Sequence, residues 1–167
     1  QLNRLQNTNR VMLADPKTGA TRTILTEQDD TWLENENPVR WINGDRQFLW
    51  VSERDGWRHV YLASVDGSPP KRITSGEFDI IDIEGVDETN GWLYYSASPD
   101  NPTQRYLFRC HLDGTGAEPL TAVVRPGWHT CNISPNAEWA IQTYSNFSTP
   151  PVHELVRLSD RMVARTV

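Results

Sequence analysis

Apolar residues along this chain fall in short runs, and Gly, Pro, Asn or Asp breaks each run. Val11-Met12-Leu13-Ala14-Asp15 leads through Gly19 to Ile24-Leu25-Thr26. Val60-Tyr61-Leu62-Ala63-Ser64-Val65-Asp66-Gly67 leads to Arg72-Ile73-Thr74, and Leu107-Phe108-Arg109-Cys110-His111-Leu112-Asp113-Gly114 leads to Pro119-Leu120-Thr121. Apolar and polar positions partly alternate within the runs, as in half-buried β-strands. The breaking residues supply the positive or fixed φ values of tight turns.

The runs repeat. The turn glycines at 19, 67 and 114 and the closing threonines at 26, 74 and 121 are both spaced by 48 and then 47 residues. A further copy follows in Glu154-Leu155-Val156-Arg157-Leu158-Ser159-Asp160 and Ala164-Arg165-Thr166. Each unit also has an earlier half. Trp41-Ile42-Asn43-Gly44-Asp45 precedes Phe48-Leu49-Trp50-Val51-Ser52, Asn90-Gly91 precedes Trp92-Leu93-Tyr94-Tyr95-Ser96, and Ser134-Pro135-Asn136 precedes Trp139-Ala140-Ile141.

Four short strands in roughly 40–50 residues is the blade of a β-propeller. The predicted fold is therefore all-β: a propeller fragment of about three and a half four-stranded blades. Residues 1–35 would hold strands C and D of one blade and an inter-blade loop, with Gln1 to Thr8 as a short polar tail. Residues 36–78, 79–127 and 128–167 would each be a blade. A β-sandwich also spaces strands closely, but it does not predict a strict repeat. The incomplete first blade, and a start at Gln1 without Met, suggest a piece cut from a larger protein.

Composition changes this picture little. The chain has 167 residues, is 37% hydrophobic and carries a net charge of -6, which argues against a nucleic-acid partner. No apolar stretch approaches the length of a membrane span.

Candidate chemistry is sparse. No serine lies in a G-x-S-x-G elbow, and His59, His111, His129 and His153 occur singly. His59 is expected to make a structural hydrogen bond at a strand start, and His111 to lie on a strand surface. No motif with metal-ligand spacing is present, and no cofactor or metal is expected; Asp66-Gly67 and Asp113-Gly114 read as hairpin turns. The acidic stretches Glu27-Gln28-Asp29-Asp30 and Glu34-Asn35-Glu36 read either as a solvated inter-blade loop or as a negative rim for a cationic ligand. Asn132-Ile133-Ser134 and Asn146-Phe147-Ser148 are glycosylation sequons. Cys110 and Cys131 are either two unpaired buried thiols or a disulfide. Trp32 and Trp128 fall in connections into A strands, where they either pack between blades or meet a ligand.

Three ordered stretches carry a resemblance: Trp50-Val51-Ser52-Glu53-Arg54-Asp55-Gly56-Trp57-Arg58-His59-Val60-Tyr61; then Ile73-Thr74-Ser75-Gly76-Glu77-Phe78-Asp79-Ile80 running into Gly91-Trp92-Leu93-Tyr94-Tyr95-Ser96-Ala97; and Thr143-Tyr144-Ser145-Asn146-Phe147-Ser148-Thr149-Pro150-Pro151. Together they resemble the N-terminal propeller of dipeptidyl peptidase IV-like serine peptidases, the last most closely in bacterial members. The resemblance implies an eight-bladed propeller that gates peptide substrates. A C-terminal α/β-hydrolase domain with a Ser-Asp-His triad would remove Xaa-Pro or Xaa-Ala dipeptides. It also implies a bacterial parent, periplasmic or secreted and homodimeric, with this chain ending just before the hydrolase domain. The family's paired glutamates are missing, since Glu34 and Glu36 are separated and lie in a later loop. No catalytic residue is expected here; by the same resemblance, Trp32, Trp128 and His129 map to connections that face substrate. A protein-binding propeller of the WD-repeat or TolB type is the alternative, although the G-H…W-D signature of WD repeats is absent.

Overall fold

A computed structural model describes residues 1–34, 39–121 and 125–166. The chain divides into two compact units, Gln1–Ile73 and Thr74–Val167.

The first unit opens with an antiparallel hairpin of β1 (Thr8–Ala14) and β2 (Thr21–Gln28). A four-stranded meander follows: β3 (Arg40–Ile42), β4 (Gln47–Ser52), β5 (His59–Ser64) and β6 (Lys71–Arg72). The second unit holds two more meanders. One runs through β7 (Ile80–Asp87), β8 (Trp92–Ala97), β9 (Tyr106–His111) and β10 (Glu118–Pro119). The other runs through β11 (Trp128–Ile133), β12 (Trp139–Asn146), β13 (Thr149–Arg157) and β14 (Met162–Thr166). Within each sheet every strand pairs with its sequence neighbour, which is the blade topology of a β-propeller. The described residues contain no helix, so none is long and apolar enough to cross a membrane.

Burial falls from the second strand of a blade to the fourth. β4 and β8 are buried at every position after the first, whereas β6 and β14 are exposed throughout. A strand covered on both faces loses its polar alternation, so Phe48-Leu49-Trp50-Val51 reads as an unbroken apolar run. In the first unit Phe48 and Trp50 pack with Ile24, Leu25 and Ala63. In the second, Tyr94, Leu107 and Leu120 pack with Ala140 and Leu158.

The repeat is set by its outer turn. Asp15 lies in the β1–β2 turn, and Asp66, Asp113 and Asp160 each lie between the third and fourth strands of a four-stranded meander. Each carboxylate accepts the N–H two residues on, from Lys17 (2.8 Å), Ser68 (2.9 Å), Thr115 (2.9 Å) and Met162 (3.1 Å). These bonds hold the Asp15 and Asp66 carboxyls below the usual carboxylate range. The following Gly67 and Gly114 have φ of 82° and 89°, which a Cβ would strain. The closing threonine also has a structural role: Thr121 Oγ1 accepts the Leu107 N–H at 2.8 Å, stitching the edge strand to the third. Thr121 and Thr74 are buried, but Thr26 at the matching position is exposed.

Two local expectations change. The first residues are not a loose tail: Leu2 bridges Asn9, the N-terminal amine donates to the Arg10 carbonyl at 2.6 Å, and the Asn3 amide oxygen accepts the N–H groups of Asn7 and Thr8, both at 3.1 Å. His111 is half-buried rather than a free strand surface, because its ring stacks on Trp92 with centroids 3.6 Å apart. His59 does begin a strand, β5, and is fully buried. Both thiols are free; Cys110 is buried and Cys131 half-buried.

Candidate functional site

In the first unit, the connection after β2 and the β4–β5 loop enclose a crevice of about 150 Å³. Its lining includes Glu27, Trp32, Trp50, Ser52, Arg54 and Arg58. Glu27 is the anchor. Alternation along β2 puts Leu25 and Glu27 inward and Thr26 outward, so a carboxylate enters the unit with only 6% of its surface exposed. Burial of a charge is tolerable only with full pairing. Glu27 Oε2 accepts the Trp50 indole N–H at 2.9 Å, Oε1 accepts the Ser52 hydroxyl at 2.6 Å, and the Arg54 guanidinium closes an ion pair. Arg54 also donates Nε–H to Ser52 Oγ at 3.0 Å and lies over the Tyr61 ring. The Tyr61 hydroxyl donates to Asp55 at 2.6 Å; burial, with help from that carboxylate, pushes the phenol well above its usual value.

The acidic stretch is therefore not a uniform rim. Glu27 is neutralised inside the unit. Asp29 accepts the N–H and hydroxyl of Thr31 at 2.7 and 2.6 Å, which bends the chain just before Trp32. Trp32 follows, 64% exposed, on the wall of the crevice. Glu34 lines the same crevice, while Glu36 lies outside the described residues.

In the second unit, Trp128 and His129 are the first two residues of β11 rather than loop residues. Gly127 explains why the strand starts there. A Cβ on it would lie 2.5 Å from the Ser145 carbonyl oxygen and 2.9 Å from the Tyr144 ring, so only glycine lets the chain come this close to β12. Trp128 then pairs with Ser145, and its ring faces Arg105 at 5.9 Å. Its side chain is 44% exposed, but alternation along β11 turns His129 inward to 2% exposure. The imidazole therefore supports the strand from below and Trp128 presents the surface. Trp32 belongs to the first unit and Trp128 to the second, and both are exposed.

Sequence reasoning missed the Glu27 network. The inward phase of Leu25 and Glu27 was its one local signal, since the partners lie 23 to 27 residues away.

No group of three or more metal-binding side chains gathers among the described residues. The crevice offers an aromatic wall, arginines and carboxylates.

The family model of the dipeptidyl peptidase IV N-terminal region matches residues 1–151. A protein of Emericella nidulans described as "Probable dipeptidyl-aminopeptidase B" is 31% identical over 161 residues, covering 89% of this chain and 18% of that protein. An Aspergillus flavus protein described as "Probable dipeptidyl peptidase 4" is 25% identical over 173 residues, covering 99% of the chain and 22% of that protein. The crystal structure of Porphyromonas gingivalis dipeptidyl peptidase 4 superposes with a TM-score of 0.89 at 29% identity, over 99% of this chain and 23% of that one. The chain thus spans about a fifth of the length of these relatives. With three four-stranded meanders, a two-stranded hairpin before them in sequence and a family match over nine-tenths of its length, the chain belongs to the dipeptidyl peptidase IV N-terminal region family.

Proposed function

We propose that this chain is a non-catalytic propeller segment of a dipeptidyl peptidase IV-like serine exopeptidase. In this reading it is scaffold and gate for peptides, and a separate α/β-hydrolase domain of the parent removes Xaa-Pro or Xaa-Ala dipeptides. The family match over residues 1–151 carries the reading. The Trp32 crevice supports the finer part. An exposed indole beside Arg54 and Arg58 suits an extended peptide, which offers flat amide faces to stack and carbonyl oxygens to accept hydrogen bonds. Trp32 is assigned to peptide residues beyond the scissile bond, Trp128 to a second aromatic contact, and His129 to holding Trp128 in place.

The test compares peptide lengths in the intact parent. Trp32→Ala should raise KM about tenfold for longer peptides, the cost of one stacked aromatic anchor, and leave a dipeptide-chromophore substrate unchanged. Equal effects on both substrates would remove Trp32 from any extended subsite.

A further inference from the structure

His129 lies where three elements meet. Its imidazole packs between the rings of Tyr106 from β9, with centroids 5.5 Å apart, and Tyr144 from β12, at 4.8 Å. Nε2 is 2.8 Å from the Arg125 backbone carbonyl, so Nε2 carries the hydrogen and donates it. Nδ1 is then the bare nitrogen, and it is buried without a hydrogen-bond partner. A neutral ring accepts this at modest cost. An imidazolium does not, because a second N–H would be buried with nothing to accept it.

The same ring pins a stretch of backbone. Its bond to Arg125 folds residues 125–129 into a short loop. The loop is tied to the start of β9 by the Arg105 N–H on the Gly127 carbonyl (3.1 Å) and the His129 N–H on the Arg105 carbonyl (3.0 Å).

Arg125, before β11, lies over the Tyr144 ring at 4.2 Å and meets both Glu154 oxygens from β13 at 3.0 Å. Gln142 of β12 also donates to Glu154, at 3.2 Å. Arg105 is paired with Glu84 of β7 at 2.6 Å. Tyr106 and Tyr144 contribute only phenols. Glu154 is thus engaged by Arg125 and Gln142, and the cation nearest the ring repels a second positive charge.

We propose that His129 is an acid-sensitive latch: as a neutral imidazole it holds residues 125–129 against β9 and β12, and as an imidazolium it releases them and frays β11 from its start. Burial pulls the imidazole below the ordinary histidine value of 6.5; the bond to the Arg125 carbonyl and the Glu154 carboxylate oppose this, and the Arg125 charge adds to it. A folded-state value below the unfolded one stabilises the closed form above about pH 6.5. That stabilisation is lost as pH falls through the depressed value. Within this window each pH unit favours the released form by up to about tenfold.

Cys131, two residues further along β11 and half-buried, is the reporter. Its reaction with 4,4′-dithiodipyridine, which modifies thiols in acid, is measured by peptide mass at a series of pH values. Each rate is divided by that of the urea-unfolded protein at the same pH. The proposal expects the normalised Cys131 rate to rise by up to about tenfold per pH unit below about 6.5, while Cys110 stays flat. It expects no rise in His129→Gln, which keeps a side-chain N–H for the Arg125 carbonyl but does not titrate. A flat profile in the unsubstituted protein, an equal rise in His129→Gln, or an equal rise at Cys110 would overturn it. An NMR titration of the His129 ring in the unsubstituted protein gives a readout that needs no variant. A midpoint below 6.5 supports the latch, and one at or above 6.5 sinks it.

Discussion

Glu27 accepts the indole N–H of Trp50 at 2.9 Å, joining the hairpin β1–β2 to the sheet β3–β6 by a side chain buried in the first unit. The bond belongs to a closed set, in which Ser52 and Arg54 complete the same carboxylate. Removing the carboxylate leaves three donors to find other partners. Glu27→Ala should cost about 3 kcal/mol, within the range for breaking a buried pair from one side. Urea unfolding of the variant checks this. A loss below about 1 kcal/mol would show that the network is dispensable.

Gly127 tests the placement of β11. The substitution Gly127→Ala adds a methyl against backbone at 2.5 Å, so the strand must move away from β12. A destabilisation of about 2 kcal/mol is expected, typical of overpacking. Backbone amides of β11 should lose protection from hydrogen exchange before those of β8. Unchanged protection in β11 would contradict the close approach.

The two thiols should be slow nucleophiles. Burial pushes both Cys110 and Cys131 from an ordinary value of 9.0 up to about 12. At pH 8 the thiolate fraction falls by about three orders of magnitude, so alkylation by iodoacetamide should be slower by a similar factor than in the unfolded chain. Fast labelling of Cys110 at neutral pH would contradict its burial.

Glu118 links charge to pH. Hydrogen bonds from Arg161 and then Arg109 hold its carboxyl below the usual range. A depressed carboxylate contributes stability above its unfolded value, and that contribution fades as pH falls through the folded one. Glu118→Gln should therefore flatten part of the acid limb of thermal stability below the ordinary glutamate value of 4.5, with a small effect because the site is close to solvent. An acid limb unchanged by Glu118→Gln would show that the two arginines contribute nothing through it.

The blades were legible in the sequence because their signals are local. An Asp that must accept an N–H two residues on, and a glycine at positive φ beside it, leave the same short pattern at Asp66-Gly67 and Asp113-Gly114. The site was less legible because its determinants are distant. Glu27 sits in an acidic run that reads as solvated, and only Trp50, Ser52 and Arg54 make its burial possible. His129 read as a loop residue, but β11 starts where Gly127 meets β12 and where Arg105 binds the strand end. Trp32 was placed by sequence in a connection between strands, and there it stands on the crevice wall.

The measurement closest to the central claim is chromophore release from an Xaa-Pro-chromophore dipeptide, with a serine-reactive phosphonate as control, on the intact parent protein and on this 167-residue chain side by side. A non-catalytic propeller segment of a serine exopeptidase requires phosphonate-sensitive cleavage by the parent and none by the chain. A parent that neither cleaves Xaa-Pro or Xaa-Ala substrates nor takes the phosphonate label would contradict it, and would leave a propeller that binds proteins as the better reading.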